Sequence, residues 1–161
     1  MFVHNIMCPH PNIAQVVAMD DRVTEKMSVM YELADEGDFT RYAFGQEQIS
    51  PATLMRLISD VARGLEHLGL YGFSHNDVKA ENVLIFRDAR GDLVAKVTDL
   101  GCALAHGDMR DGQGTIGGRP PESMVRRVPC EPSQDVYALG HLMLVAFTKT
   151  KWKWGNLWAS K

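Results

Sequence analysis

The chain has 161 residues, 45% of them hydrophobic, which allows one domain with a real core and excludes two comfortable ones. Its formal charge is -3 with the basic residues dispersed, so no footprint for nucleic acid stands out and none is expected as a partner. Cys8, Cys102 and Cys130 are odd in number, far apart and outside any C-x-x-C spacing, which argues against a disulfide framework or structural zinc and fits a reducing, intracellular setting.

Met1 to Asn5 lacks the basic stretch and apolar core of a secretory signal. Cys8-Pro9-His10 has no second ligand pair nearby and is read as ordinary loop. Short apolar runs at Ile13, Val16-Val17 and Val29 to Leu33 flank the polar Asp20-Asp21-Arg22 and predict two strands joined by a turn, followed by a linker over Ala34 to Asp38. Ser50-Pro51 supplies a cap and a first-turn proline. Leu54, Leu57, Ile58, Val61, Ala62, Leu65 and Leu68 then recur at three- and four-residue spacing, predicting an amphipathic helix that ends around Gly69 to Gly72.

Val83 to Phe86 and Leu93 to Thr98, joined by a turn-rich loop containing Gly91, predict an antiparallel hairpin. Residues 101 to 121 have no periodicity and read as a long functional loop. Asp135 to Phe147 is apolar on nearly every face and predicts a buried helix; its apolar stretch from Ala138, broken by Gly140 and His141, is too short to span a bilayer. The protein is therefore expected to be soluble, cytoplasmic or nuclear, with no membrane partner.

In a hairpin, the residue before the first strand and the residue after the second sit side by side at the open end. Asn82 and Asp99 hold those places, and hard oxygen ligands of this kind, completed by substrate phosphates, are how proteins commonly bind magnesium. Asp77 and Lys79 lie just upstream. A carboxylate base, a cation and two metal ligands are the parts phosphoryl transfer needs, since its transition state is stabilised by positioning and charge neutralisation. Singly, Asp99 reads as a turn former, Asn82 as an Asx-turn, Lys79 as a solvated charge and His75 as a packed histidine. Jointly these readings require four chance placements around one hairpin, about one case in twenty or fewer. The three oxygen-bearing residues alone also suit an unrelated metal-dependent phosphotransferase or hydrolase.

His75-Asn76-Asp77-Val78-Lys79-Ala80-Glu81-Asn82 resembles the H-R-D-L-K-x-x-N loop of protein kinases, and Asp99-Leu100-Gly101 resembles D-F-G. Gly114-Thr115 through Pro120-Pro121-Glu122 is similar to the G-T to A-P-E end of that family's activation segment, and Asp135 to Gly140 to D-V-W-S-L-G. His10-Pro11-Asn12-Ile13 and Val29 to Leu33 are similar to the loop before the fourth strand and to the hinge. The resemblance implies an α+β fold: a protein-kinase-like large helical lobe with a catalytic hairpin (residues 34-161, incomplete) and a two-strand remnant of the small lobe with the hinge (residues 1-33). It implies a truncated chain, because no glycine-rich loop or strand lysine of the V-A-I-K type precedes residue 30, and Lys26 is on the wrong side of His10-Pro11 to replace that lysine.

The implied cofactors are ATP and Mg. The implied roles are Asp77 as proton acceptor, Lys79 steadying the transferred phosphate, and Asn82 and Asp99 holding the metal. Met30 is implied as gatekeeper, the backbones of Tyr31 and Leu33 as adenine-binding, and Leu84 as the floor beneath. Thr115 is implied to bridge toward Asp77 and Lys79, and Asp135 to tie down the catalytic-loop backbone. Lys79, two places after Asp77, is similar to serine/threonine kinases, which implies a protein substrate phosphorylated on Ser or Thr, with weak or no activity in this chain. The alternative is a catalytically dead, kinase-derived binding or regulatory module.

Asn76 replaces the arginine that pairs with a phosphorylated activation loop, and residues 99 to 122 contain Thr115 but no Ser or Tyr, so switching by phosphorylation there is not expected. Glu122 lacks its usual arginine and is expected to be an unpaired buried carboxylate. The helix from Asp135 is expected to expose apolar surface that a partner would cover. The basic, aromatic stretch from Thr148 to Trp154 reads as the loop after that helix rather than as a membrane or nucleic-acid tail.

Overall fold

The computed structural model describes residues 9-20, 28-45, 47-110, 114-125 and 127-149. Cys8, Lys26, the turn residues Asp21-Arg22 and the tail beyond Lys149 lie outside them. Strands β1 (Val16–Asp20) and β2 (Ser28–Tyr31) pair antiparallel, as their apolar runs predict. A short helix α1 (Thr40–Ala43) precedes the long helix α2 (Pro51–Leu70). Ser50 caps α2 by accepting the Thr53 N–H at 3.0 Å, and Pro51 fills the first turn, where a missing N–H costs nothing.

Helix α2 buries Leu54, Leu57, Ile58, Val61 and Leu68, each stabilising by about 1.5–3 kcal/mol relative to exposure. The partner of that apolar face is the hairpin of β4 (Val83–Arg87) and β5 (Leu93–Val97), whose inward residues Val83, Ile85, Ala95 and Val97 are fully buried. Two extended stretches widen the hairpin. Ala14 N–H bonds to Val97 O and Val97 N–H to Asn12 O along β5, while Glu36 N–H bonds to Ile85 O and Ile85 N–H to Gly37 O along β4. Both hairpin edges are thereby covered, which prevents stray strand pairing.

Beyond α2, β3 (Phe73–Ser74) pairs with β6 (Leu104–Ala105), and β7 (Met109–Arg110) with β8 (Val128–Pro129). Helix α3 (Glu122–Val125) separates the last two. Helix α4 (Pro132–Thr148) begins three residues before the expected start and packs Ala138, Leu142, Val145 and Ala146 into the core beside α2. Burial is not all round. Val136, Met143, Leu144 and Phe147 are exposed, so the uniformly apolar sequence of α4 is only half used by the described residues.

Candidate active site

The loop between β3 and β4 is pinned from two sides, by α4 and by the end of the hairpin. Asp135, at the start of α4 and 4% exposed, accepts the His75 N–H at 2.6 Å and the Asn76 N–H at 2.8 Å. His75 is fully buried and bridges to the hairpin's end: its Nδ1 accepts the Asp77 N–H at 3.2 Å, so its Nε2 carries the proton and donates to Thr98 O at 2.9 Å. Asn76, φ 65°, and Asp99, φ 59°, both take the left-handed conformation that non-glycine residues rarely adopt.

This frame places Asp77 at a convergence of donors. Lys79 Nζ reaches Asp77 Oδ2 at 2.8 Å, Asn82 Nδ2 the same oxygen at 3.0 Å, and the Thr115 N–H reaches Oδ1 at 2.6 Å. Burial pushes the Asp77 carboxyl up, but the hydrogen bonds from Lys79 and Thr115 outweigh it and hold the group below the usual carboxylate value. Lys79, hydrogen-bonded to Asp77, is raised in turn, and its Nζ also donates to Thr115 Oγ1 at 3.0 Å. The site therefore holds an ionised carboxylate beside an ionised amine.

Asn82 ends a single helical turn, and its Nδ2 also donates to the Asp77 carbonyl at 2.9 Å. With both amide hydrogens directed to Asp77, Oδ1 is the atom left for a cation. Thr98 N–H donates to Asn82 O at 3.0 Å, so Asp99 follows immediately after the last paired residue. Its Oδ1 accepts the Gly101 N–H at 3.2 Å, and its charge is felt by Lys79 and Tyr31. An amide oxygen and a carboxylate at one hairpin end form a hard donor set that fits magnesium completed by phosphate and water.

Tyr31 reaches this end from β2: its phenol sits against the Thr98 hydroxyl and the Asp99 backbone, and burial with the Asp99 charge raises its pKa. Leu84 lies half-buried on β4, opposite Lys96, whose Nζ grips both Glu32 carboxylate oxygens at 2.8 Å. On the other side of Lys79, a cavity of about 510 Å³ is lined by Phe44, Glu81, Thr115, Ile116, His141 and Val145.

The family model for the protein kinase domain matches residues 2–156. The chain belongs to the protein kinase family. It is 42% identical over 93 residues to the protein kinase ORF73 of Ictalurid herpesvirus 1, a match covering 58% of this chain and 9% of that one. It is 30% identical over 136 residues to the serine/threonine/tyrosine-protein kinase HT1 of Arabidopsis thaliana, covering 81% of this chain and 33% of that protein. Its fold is similar to a chain of the yeast RNA Pol II CTD kinase CTDK-1 complex, with TM-score 0.75 and 25% identity over 93% of this chain and 51% of that one. The kinase thus spans about half the length of that solved chain, and a third or less of those two relatives. Its α+β kinase-like fold agrees with the sequence reading.

Within this kinase, Asp77, Lys79, Asn82 and Thr115 are brought together, with Asp99 beside them. Met30 is not part of that group. Its side chain is 61% exposed, and because side chains alternate along a strand, Tyr31 presents the opposite face and is the one that meets Thr98 and Asp99. Leu33 is 92% exposed. Glu122 is exposed rather than buried, so the destabilisation expected from a buried carboxylate does not arise. Sequence reasoning missed Tyr31 as a side-chain contributor, although strand alternation signals it once the register is known. It also missed Arg110 and the cavity beside His141, which no local pattern marks.

Proposed function

We propose that this kinase transfers the terminal phosphoryl group of ATP to Ser or Thr hydroxyls of a protein substrate. The supporting observation is Asp77, an ionised carboxylate held by Lys79, Asn82 and the Thr115 N–H, with Asn82 and Asp99 at one hairpin end. Asp77 takes the hydroxyl proton and orients the nucleophile. Lys79 turns from Asp77 toward the transferred phosphate and neutralises its charge.

Magnesium, held by Asn82 and Asp99, would supply charge neutralisation between the phosphates. The adenine would lie over Leu84, against the backbone of Tyr31 and Leu33, with Met30 as gatekeeper and the Tyr31 phenol beside Thr98 and Asp99. The exposure of Val17 on β1, Met30 on β2 and Leu33 just after it favours a second reading, a binding module whose exposed apolar residues dock a partner.

The test is titration of the chain with magnesium-ATP, followed by phosphate transfer to Ser/Thr and Tyr peptide mixtures. The proposal expects binding and Ser/Thr transfer, binding lost in Asp99→Ala, and transfer lost but binding kept in Asp77→Asn. Absence of magnesium-ATP binding by the unaltered chain would refute it, and binding without transfer would favour the docking module.

A further inference from the structure

Arg110 is 3% exposed although its neighbour Met109 on β7 is 50% exposed. The strand turns the guanidinium inward, where burial lowers its pKa. Burying this group is costly unless its donors are matched, and here the fork spans two acceptors. Nη2 donates to the Asn76 carbonyl at 2.8 Å, and Nη1 approaches Gln134 Oε1 at 3.4 Å. Gln134 is itself fixed, donating to Pro129 O at 2.8 Å. Asn76 is fixed too, since its Nδ2 faces Ser74 O at 3.2 Å, Cys130 Sγ at 3.3 Å and Cys102 O at 3.4 Å.

A third piece of chain closes on the same point. At Gly114, φ +90°, an added Cβ would stand 2.3 Å from Asn76 O and 2.6 Å from Arg110 Nη2. No side chain fits there, and the conformation itself disfavours one. The next residue is Thr115, whose N–H meets Asp77 and whose hydroxyl meets Lys79. The position of Thr115 is thus set by a joint one residue away, at which Arg110, Asn76 and Gly114 touch.

We propose that Arg110 is a positioning residue that locks the backbone at Gly114 onto the catalytic loop, and so presents the Thr115 N–H to Asp77 without any phosphate on the segment. The contacts at Gly114 carry the lock, and its effect on turnover rests on Asp77 being the proton acceptor. It assigns to a buried arginine, carried by the segment itself, the ordering task that elsewhere falls to an added phosphate. Asn76 takes part through its carbonyl, while its side chain serves only to hold that carbonyl still.

Arg110→Met in the full chain is the test. Exchange of the Thr115 amide should quicken by about tenfold or more, while the His75 and Asn76 amides, held by Asp135, keep their wild-type rates. Under turnover, kcat should fall by about tenfold or more with the ATP KM little changed, and Arg110→Lys should recover part of the loss through one of the two acceptors. Unchanged Thr115 exchange overturns the proposal. So does equal acceleration at Thr115, His75 and Asn76, which would mark a general loosening.

Should the variant not fold, nitrogen-15 spectra of the unaltered chain decide. Separate, slowly exchanging Nη signals for Arg110 are expected, and averaged, fast-exchanging ones overturn the lock. The exchange and spectral readouts need no phosphoryl transfer. A wild-type chain that fails to turn over ATP therefore refutes the kinase activity and leaves the lock standing, whereas normal turnover with unaltered Thr115 exchange in the variant refutes the lock alone.

Discussion

Asp135 Oδ2 accepts the backbone N–H of His75 at 2.6 Å across 60 residues of sequence, joining the first turn of α4 to the loop that carries Asp77. Its other oxygen takes the Asn76 N–H, so one buried carboxylate satisfies two buried donors. Hydrogen bonds to a charged group contribute about 1.5–3 kcal/mol each, and Asp135→Ala forfeits both while stranding the donors. The expected loss is about 3–5 kcal/mol, read as a lower urea midpoint at unchanged slope. Asp135→Asn keeps one acceptor and removes the cost of burying a charge, so it should lose about half as much. A loss below about 1 kcal/mol for the alanine variant would show that the pair is not what anchors the loop.

Asn82→Asp separates the metal-binding role proposed for that side chain from its hydrogen bonds to Asp77. Aspartate is as good an oxygen ligand as asparagine, so a residue that only held magnesium would tolerate the change. But Asn82 Nδ2 donates to Asp77 Oδ2 at 3.0 Å, and a carboxylate there would face a carboxylate. Like charges at that range raise one pKa, which opposes the depression that Lys79 and Thr115 impose on Asp77. Turnover should therefore fall about as far in Asn82→Asp as in Asn82→Ala, by about a hundredfold. Near-normal turnover in the aspartate variant would contradict the orienting role.

What the sequence made legible follows from the length over which a signal repeats. Helix α2 shows its cap, proline and apolar stripe over five turns, and the β4–β5 hairpin shows two apolar runs around a polar turn, which fixes Asn82 and Asp99 at its open end. Helix α1, four residues long, is too short for any period to register, as are the two-residue strands β6, β7 and β8. Tyr31 and Met30 could not be told apart without the strand's orientation, since an aromatic and a methionine each suit either face. Arg110 carried no signal. A lone arginine in a glycine-rich stretch reads as solvated, and its burial depends on where Asn76 and Gln134 come to rest.

Two helical glycines should respond to alanine with opposite signs. Gly140, inside α4, has nothing within 4 Å of an added Cβ, so Gly140→Ala gains helix propensity and should stabilise by about 0.5–1 kcal/mol. At Gly64, inside α2, an added Cβ would stand 2.5 Å from Asn12 O and 2.7 Å from the Val97 side chain. Those atoms belong to the seam where Asn12 and Ala14 bond to β5, so they cannot retreat without breaking the strand pairing. Overpacking of that kind costs about 1–3 kcal/mol, which exceeds the propensity gain. Gly64→Ala should be net destabilising by thermal or urea unfolding, and equal signs for the two variants would refute the close approach of α2 to β5.

His141 makes stability depend on pH in a window of its own. It lines the cavity beside Lys79 and Glu81, and burial lowers its pKa below the ordinary histidine value. Above about pH 6.5 the imidazole is neutral in both folded and unfolded chains, so this contribution is complete there. As pH falls below that value, the unfolded chain takes up the proton first, and the contribution is lost until the depressed folded value is passed. His10 is lowered by its own burial and by His67, and acts in the same direction. Asp77 is held below the usual carboxylate value, so its share disappears only at more acidic pH. His141→Gln removes this contribution, keeps that of His10 and leaves the carboxylates alone. Between about pH 7.5 and 5 the urea midpoint should drop less in the variant than in the unaltered chain, and an identical drop in both would show that His141 titrates alike in the folded and unfolded states.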